Sequence, residues 1–118
     1  NNLFMKLLVG TDIESVDRFK KLLIKNIFFE SEYNYSINKA NSDQSLAGIW
    51  CAKEAVVKSF SQIKLITVRE VEIICVKNCA PKAIIKNLKV KDLNFNISIS
   101  ISHTKEYATA IAVLTIFD

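Results

Sequence analysis

Residues 94–102, NFNISISIS, alternate without interruption. Phe95, Ile97, Ile99 and Ile101 fall on one side, and Asn94, Asn96, Ser98, Ser100 and Ser102 on the other. A period of two belongs to a strand with one apolar face and one face of small polar residues. His103-Thr104-Lys105-Glu106 breaks the pattern, and residues 107–117 resume as a mostly apolar strand carrying Ala108, Ala110 and Ala112. The two strands predict a hairpin with His103 at its tip.

Trp50-Cys51-Ala52-Lys53-Glu54-Ala55-Val56-Val57-Lys58-Ser59-Phe60 reads as helix throughout. No Gly or Pro interrupts it, and Ala, Lys and Glu favour helix. Asn41, Ser42 and Asp43 are candidate N-caps for this helix, which ends near Phe60. Leu46, Trp50, Val57 and Phe60 share one side, and Lys53 falls among them. Glu54 and Lys58 lie one turn apart on the neighbouring face, beside Ala47 and Cys51. Two readings stand: an i,i+4 salt bridge on a solvated stripe, or a polar window on a helix buried nearly all round.

The rest is read more coarsely. Residues 3–13 fit a strand, with Leu3, Phe4, Met5, Leu7, Leu8 and Val9 leading to Gly10-Thr11-Asp12-Ile13. Asp12 near its end is an exposed turn or capping residue, or a site residue with a partner. Ser15 is a candidate N-cap for a helix with Val16, Phe19, Leu22 and Leu23 on its apolar face. Arg18, Lys20, Lys21 and Lys25 make its other face basic. Residues 27–35 admit a short helix, and 36–45 read as a polar loop. Residues 68–76 read as a strand with Val71, Ile73 and Cys75 on one face, and 77–81 as a turn. Residues 83–90 fit either a strand or a short helix. No repeat, linker or second domain is evident.

Composition bounds function loosely. The 118 residues carry a net charge of +4, which suits an acidic protein, a phosphate-bearing ligand or nucleic acid. Cys51, Cys75 and Cys79 form no disulfide framework, and Cys75-x-x-x-Cys79 lacks a nearby His for metal. They read as reduced thiols in a cytosol-like compartment. No apolar run reaches a membrane span, and residues 1–9 lack the charged start and cleavage site of a leader.

Asp12, Glu54 with Lys58, and His103 (the chain's single histidine) all lie at element ends or windows. Two carboxylates can hold magnesium, which accepts few protein oxygens and completes its shell with water and phosphate. Lysine offers the same phosphates a point charge, and histidine can donate to a phosphate oxygen. Such a set suits transfer or hydrolysis at a phosphoanhydride, where positioning and charge neutralisation dominate. Spacing alone does not bring the four together.

Three segments, in order, carry a family resemblance. Gly10-Thr11-Asp12-Ile13 opens the first, through Phe19; Trp50-x-x-Lys53-Glu54-Ala55-x-x-Lys58 is the second; Ser100-Ile101-Ser102-His103-Thr104-x-x-Tyr107-Ala108-x-Ala110 is the third. Together they resemble the holo-acyl-carrier-protein synthases, the small type of 4'-phosphopantetheinyl transferase. The resemblance implies an α+β fold, an antiparallel sheet packed on a long central helix, as one transferase domain over residues 1–118. It implies transfer of phosphopantetheine from coenzyme A to a serine of an acyl carrier protein, in fatty acid biosynthesis in the cytoplasm. By position, Asp12 and Glu54 match magnesium ligands and Lys58 the lysine near the pyrophosphate; Glu54 and Lys58 are the catalytic candidates, with Glu54, Lys58 or a metal-held water taking the serine proton. Lys58 and His103 match coenzyme A contacts; Lys53 is assigned there too, the alternative being that it snorkels to the core's edge. Arg18, Lys21 and Lys25 match the docking surface for the acidic carrier, which leaves nucleic acid and membrane without a role. Small members of the family are homotrimers with active sites between subunits. Such an interface would account for the all-round apolar helix and for the alanines of the last strand.

Two departures stand out. Residues 59–64 contain no glycine where the family has a glycine-rich turn near the phosphates, and Ile49 stands where many relatives have arginine. Competing readings are a binding module using only the basic face, an inactive relative kept as a structural subunit, and a magnesium-dependent phosphohydrolase.

Overall fold

The computed structural model describes residues 5–20 and 26–117. Strand β1 (Met5–Ser15) is followed by a 3-10 turn, Val16–Lys20. Helix α1 (Glu30–Ile37) and the long helix α2 (Ser42–Phe60) come next. Strands β2 (Val71–Ile74) and β3 (Lys82–Ile85) then precede β4 (Asn94–His103) and β5 (Tyr107–Phe117). One antiparallel sheet has the order β1-β5-β4, and β2 and β3 form a second. This is the α+β architecture expected.

Several boundaries differ from the sequence reading, for local reasons. Ser15 is not a helix cap: it ends β1, paired with Tyr107. The described part of the basic segment is one 3-10 turn, with Val16 and Phe19 buried as their spacing predicts. Leu3, Phe4, Lys21, Leu22, Leu23 and Lys25 lie outside the described residues. The expected loop at 36–45 shrinks to 38–41, because α1 runs to Ile37 and α2 starts at Ser42. Ser36 is buried there, its hydroxyl 2.8 Å from that of Ser45, so the polar run is used in helix packing. Residues 68–70 form a 3-10 turn rather than strand, with the Glu70 carboxylate accepting from the Thr67 amide at 2.9 Å. His103 is the last residue of β4, paired with Ala108, so the turn itself is 104–106.

The sheet's inner face meets α2. Leu8, Ala108, Ala110, Ala112 and Leu114 are buried against a helix that presents Ala47, Cys51, Ala52, Ala55 and Ser59, all buried. The alanines of β5 and the apolar surround of α2 are therefore core within one chain, not a subunit interface. Small residues on both sides let the layers approach until Gly10 touches α2 itself. A methyl on Gly10 would overlap the Ala55 carbonyl oxygen and lie 2.7 Å from the Ser59 amide nitrogen.

The outer face of the sheet has a different character. Met5, Leu7, Val9 and Ile13 of β1 and Tyr107, Ile111 and Phe117 of β5 are 41–65% exposed. Beside them β4 shows its asparagines and serines. Seven large apolar side chains on two paired strands form a surface that monomers seldom leave in water.

Gly10→Ala should destabilise the fold by about 3 kcal/mol, the upper part of the usual overpacking range, because backbone rather than a flexible side chain blocks the methyl. Urea unfolding monitored by circular dichroism measures it; an unchanged midpoint would contradict the close approach.

Candidate active site

β1 and α2 bring three of the four sequence-selected residues together. Along β1, Leu8, Gly10, Asp12 and Glu14 share the inner face. Because Gly10 rests on Ala55 and Ser59, Asp12 arrives beside the polar window of the helix. Lys58 Nζ donates to Asp12 Oδ1 at 3.2 Å and to the Thr11 carbonyl at 3.0 Å. The expected Glu54–Lys58 bridge is thus replaced by a strand-to-helix pair, Lys58–Asp12. Thr109 on β5 donates its hydroxyl to the Asp12 carbonyl at 2.9 Å, fixing the backbone there.

The electrostatics are those of crowded, incompletely paired carboxylates. Asp12 Oδ2 is buried and, among the described residues, has no donor at hydrogen-bond geometry, the weakly donating Cys51 thiol being its neighbour. Burial raises the pKa of Glu54, and the Asp12 charge raises it further, against the opposing effect of Lys58. Neighbouring Cys51 is pushed up to about 12 by burial and by Asp12, so its thiol stays protonated. An orphaned carboxylate oxygen and a second carboxylate in the same negative field fit a hard divalent ion such as magnesium, which needs few protein oxygens. Among the described residues no third acidic, Cys or His ligand joins them.

His103 lies elsewhere. It lines a groove of about 740 Å³ between α2, the edge of β4 and the turn after β2, with Lys39, Gln44, Ile49 and Cys79. Asp12, Glu54 and Lys58 do not line that groove. Lys53, assigned to coenzyme A, reaches no surface at all. Its Nζ donates to Glu32 Oε1 and to the Val71 carbonyl, both at 2.7 Å, and both side chains are wholly buried. Burial lowers the Lys53 pKa, and the Glu32 carboxylate resists that shift. Neither the ligand contact nor the snorkelling alternative survives, because an apolar surround makes a buried partner the cheaper solution once Glu32 is available. Sequence spacing had no signal for Glu32, which lies in a different helix.

Arg18 is exposed but not free, being ion-paired to Glu14 at 2.8 Å. The glycine-free turn at 59–64 closes through backbone bonds from Ser61 to Lys58 and from Ile63 and Lys64 to Phe60. Asn78, in another turn, has the one positive φ among described non-glycine residues, so the turn at 59–64 needs no glycine conformation.

The pattern of the 4'-phosphopantetheinyl transferase superfamily matches residues 8–112, which span all of these groups. The chain belongs to that family. It is accordingly an enzyme of the phosphopantetheinyl transferase class. It is 35% identical over 114 residues to the holo-[acyl-carrier-protein] synthase of Thermodesulfovibrio yellowstonii, covering 91% of this chain and 96% of the relative. It is 35% identical over 115 residues to the enzyme of the same name from Chlamydia trachomatis, covering 89% and 96%. The holo-(acyl-carrier-protein) synthase of Bacillus anthracis, solved in complex with CoA (3',5'-ADP), superposes with a TM-score of 0.76 at 25% identity, covering 95% of this chain and 98% of that one. Among the described residues no helix is long and apolar enough to cross a membrane.

Glu54→Gln should raise the melting temperature at pH 7 when divalent cations are absent. Because folding raises its pKa, Glu54 favours the folded state fully below its unfolded pKa and loses that contribution as pH rises through the folded value. The advantage of the variant should therefore shrink as pH falls through the raised folded pKa and vanish below the ordinary value of 4.5. Magnesium should stabilise the native protein and leave the variant unmoved; thermal melts at several pH values, with and without the ion, decide it.

Proposed function

We propose that this chain transfers 4'-phosphopantetheine from coenzyme A to a serine of an apo acyl carrier protein, releasing adenosine 3',5'-bisphosphate. The observation that carries the reading is the junction of Asp12, Glu54 and Lys58 where β1 crosses α2, within a family-wide match. In this reading the serine hydroxyl loses its proton to solvent, its oxygen bonds to the phosphorus bearing the pantetheine arm, and the bond from that phosphorus to the bridging oxygen breaks, that oxygen leaving on adenosine 3',5'-bisphosphate. Lys58, exposed and already held at the site by Asp12, turns its ammonium to the pyrophosphate and offsets charge on the leaving phosphate. Asp12 and Glu54 are the residues that would hold magnesium, which would supply charge neutralisation for the transfer. The basic segment, of which Arg18 and Lys20 are described and exposed, takes the acidic carrier. The work is that of one domain over residues 1–118, in the cytoplasm, in the service of fatty acid synthesis.

The separation of His103 from Asp12 supports active sites shared between subunits of a homotrimer. The seven exposed apolar residues on the outer face of β1 and β5 supply a surface for subunits to bury. In that assembly, the His103 groove of one chain and the Asp12–Glu54–Lys58 cluster of the next hold the two ends of one coenzyme A.

The direct test incubates the protein with magnesium, coenzyme A and apo carrier proteins, then weighs the carriers. A phosphopantetheine gain on the carrier serine is expected; no gain on any of several carriers would overturn the reading, and release of inorganic phosphate from a nucleotide would favour the phosphohydrolase. Glu54→Gln should abolish turnover while the far-ultraviolet spectrum stays native. For the shared site, Asp12→Ala and His103→Ala should each be inactive alone, yet regain part of the native rate after unfolding and refolding as a mixture. Mixtures that stay inactive would place both residues on one chain's site.

A further inference from the structure

Glu14 stands two residues beyond Asp12, on the same face of β1. Nothing in the transfer reaction described above uses it, yet it makes two directed contacts. Its Oε2 accepts from the Trp50 indole at 3.1 Å, and its Oε1 accepts from Arg18 Nη1 at 2.8 Å. The Arg18 guanidinium carbon in turn lies 5.9 Å from the ring centroids of both Trp50 and Phe19. Trp50 is itself held between Phe19 and Phe28, with centroids 6.5 and 6.4 Å away. The result is a guanidinium fixed along one edge by a carboxylate and against aromatic rings, while the Arg18 side chain stays 51% exposed.

We propose that Glu14 is a positioning residue for carrier docking. It orders Arg18 against Trp50, so that the remaining guanidinium donors meet a carboxylate of the acidic carrier at a fixed place beside the active site. This rests on the transferase reading. An unrestrained arginine on a surface loses side-chain entropy when a partner fixes it. Ordering it beforehand removes part of that cost from the docking step. The geometry also sets register. Trp50 sits one helical turn before Glu54, and Glu14 one strand repeat after Asp12, so the ordered cation is tied to both elements that carry the catalytic carboxylates. Glu14 cancels much of the long-range field of Arg18. Steering of the carrier therefore falls to other cations such as Lys20, and Arg18 serves close-range orientation.

Glu14→Gln keeps an acceptor for the Trp50 indole and removes the charge that holds Arg18. It should raise the KM for apo carrier by about fivefold, the equivalent of one exposed ion pair, with kcat and the KM for coenzyme A unchanged. Arg18→Lys keeps the net charge but loses the planar fork and stack, and it should raise the carrier KM similarly. The double variant should be no worse than either single one, since both disturb the same contact. A carrier KM that falls or stays level in Glu14→Gln would overturn the proposal, as would native behaviour of Arg18→Lys or additive losses in the double variant. Trp50, the chain's single tryptophan, gives a readout independent of catalysis. Apo carrier should shift its emission, and Glu14→Gln should need about fivefold more carrier for half the shift. A shift that is absent, or equal in both proteins, overturns the positioning role even if transfer proceeds, whereas a protein that shifts normally but transfers nothing refutes the transferase reading alone.

Discussion

The contact between Gly10 and the backbone of α2 sets the spacing of everything around it. Ordinary helix-on-sheet packing inserts side chains between the layers. Here the strand has no side chain at residue 10, and the helix answers with Ala55 and Ser59. The alanines of β5 extend the same thin seam across the sheet. Thin packing buries less apolar area per residue than leucine or phenylalanine would. What it gains is proximity: Asp12, one strand repeat beyond Gly10, comes within hydrogen-bonding reach of Lys58, just one residue before Ser59. A conventional seam would hold those groups apart.

A second constraint works from the opposite side of α2. Lys53 and Glu32 are fully buried, and Glu32 is the hub: it accepts from Lys53, from the Phe29 amide at 2.7 Å and from the Ile73 amide at 2.8 Å. One carboxylate thereby joins α1, α2 and β2. Burying the pair is costly in itself, and its strength lies in satisfying every participant at once. Lys53 and Glu54 are adjacent in sequence and differ completely in surroundings. One is sealed into a saturated network, while the other is half-buried among carboxylates with too few cations. The unsatisfied member of such a neighbouring pair is the one suited to take up a ligand.

The site is therefore unfavourable as it stands. Among the described residues no donor meets one Asp12 oxygen at hydrogen-bond geometry, and burial and Asp12 both raise the pKa of Glu54. Stability lost there is offset by the buried apolar core around it. This division suits the proposed reaction, in which the site takes up a polyphosphate and a cation, because an already neutralised site would have nothing to offer them.

Much of this was legible in the sequence. Strict alternation at 94–102 could only be a half-buried strand, and the uninterrupted run to Phe60 could only be a long helix, since each period satisfies one geometry and not the other. Motif spacing identified the family, and it singled out Asp12, Glu54 and Lys58, which the fold brings together. Glu14 was also readable, since a residue two places from Asp12 on a strand must share its face. Tertiary structure alone decided where charges pair. A helical wheel places Lys53 on an apolar side but cannot find Glu32, because the partner lies in another helix and comes close only after the chain has packed. It likewise cannot separate Lys58 paired with Glu54 from Lys58 paired with Asp12, nor show that the apolar surround of α2 is filled by the chain's own sheet. Local periodicity records which way a side chain points; what it meets depends on contacts between residues far apart in sequence, and those form only in the folded protein.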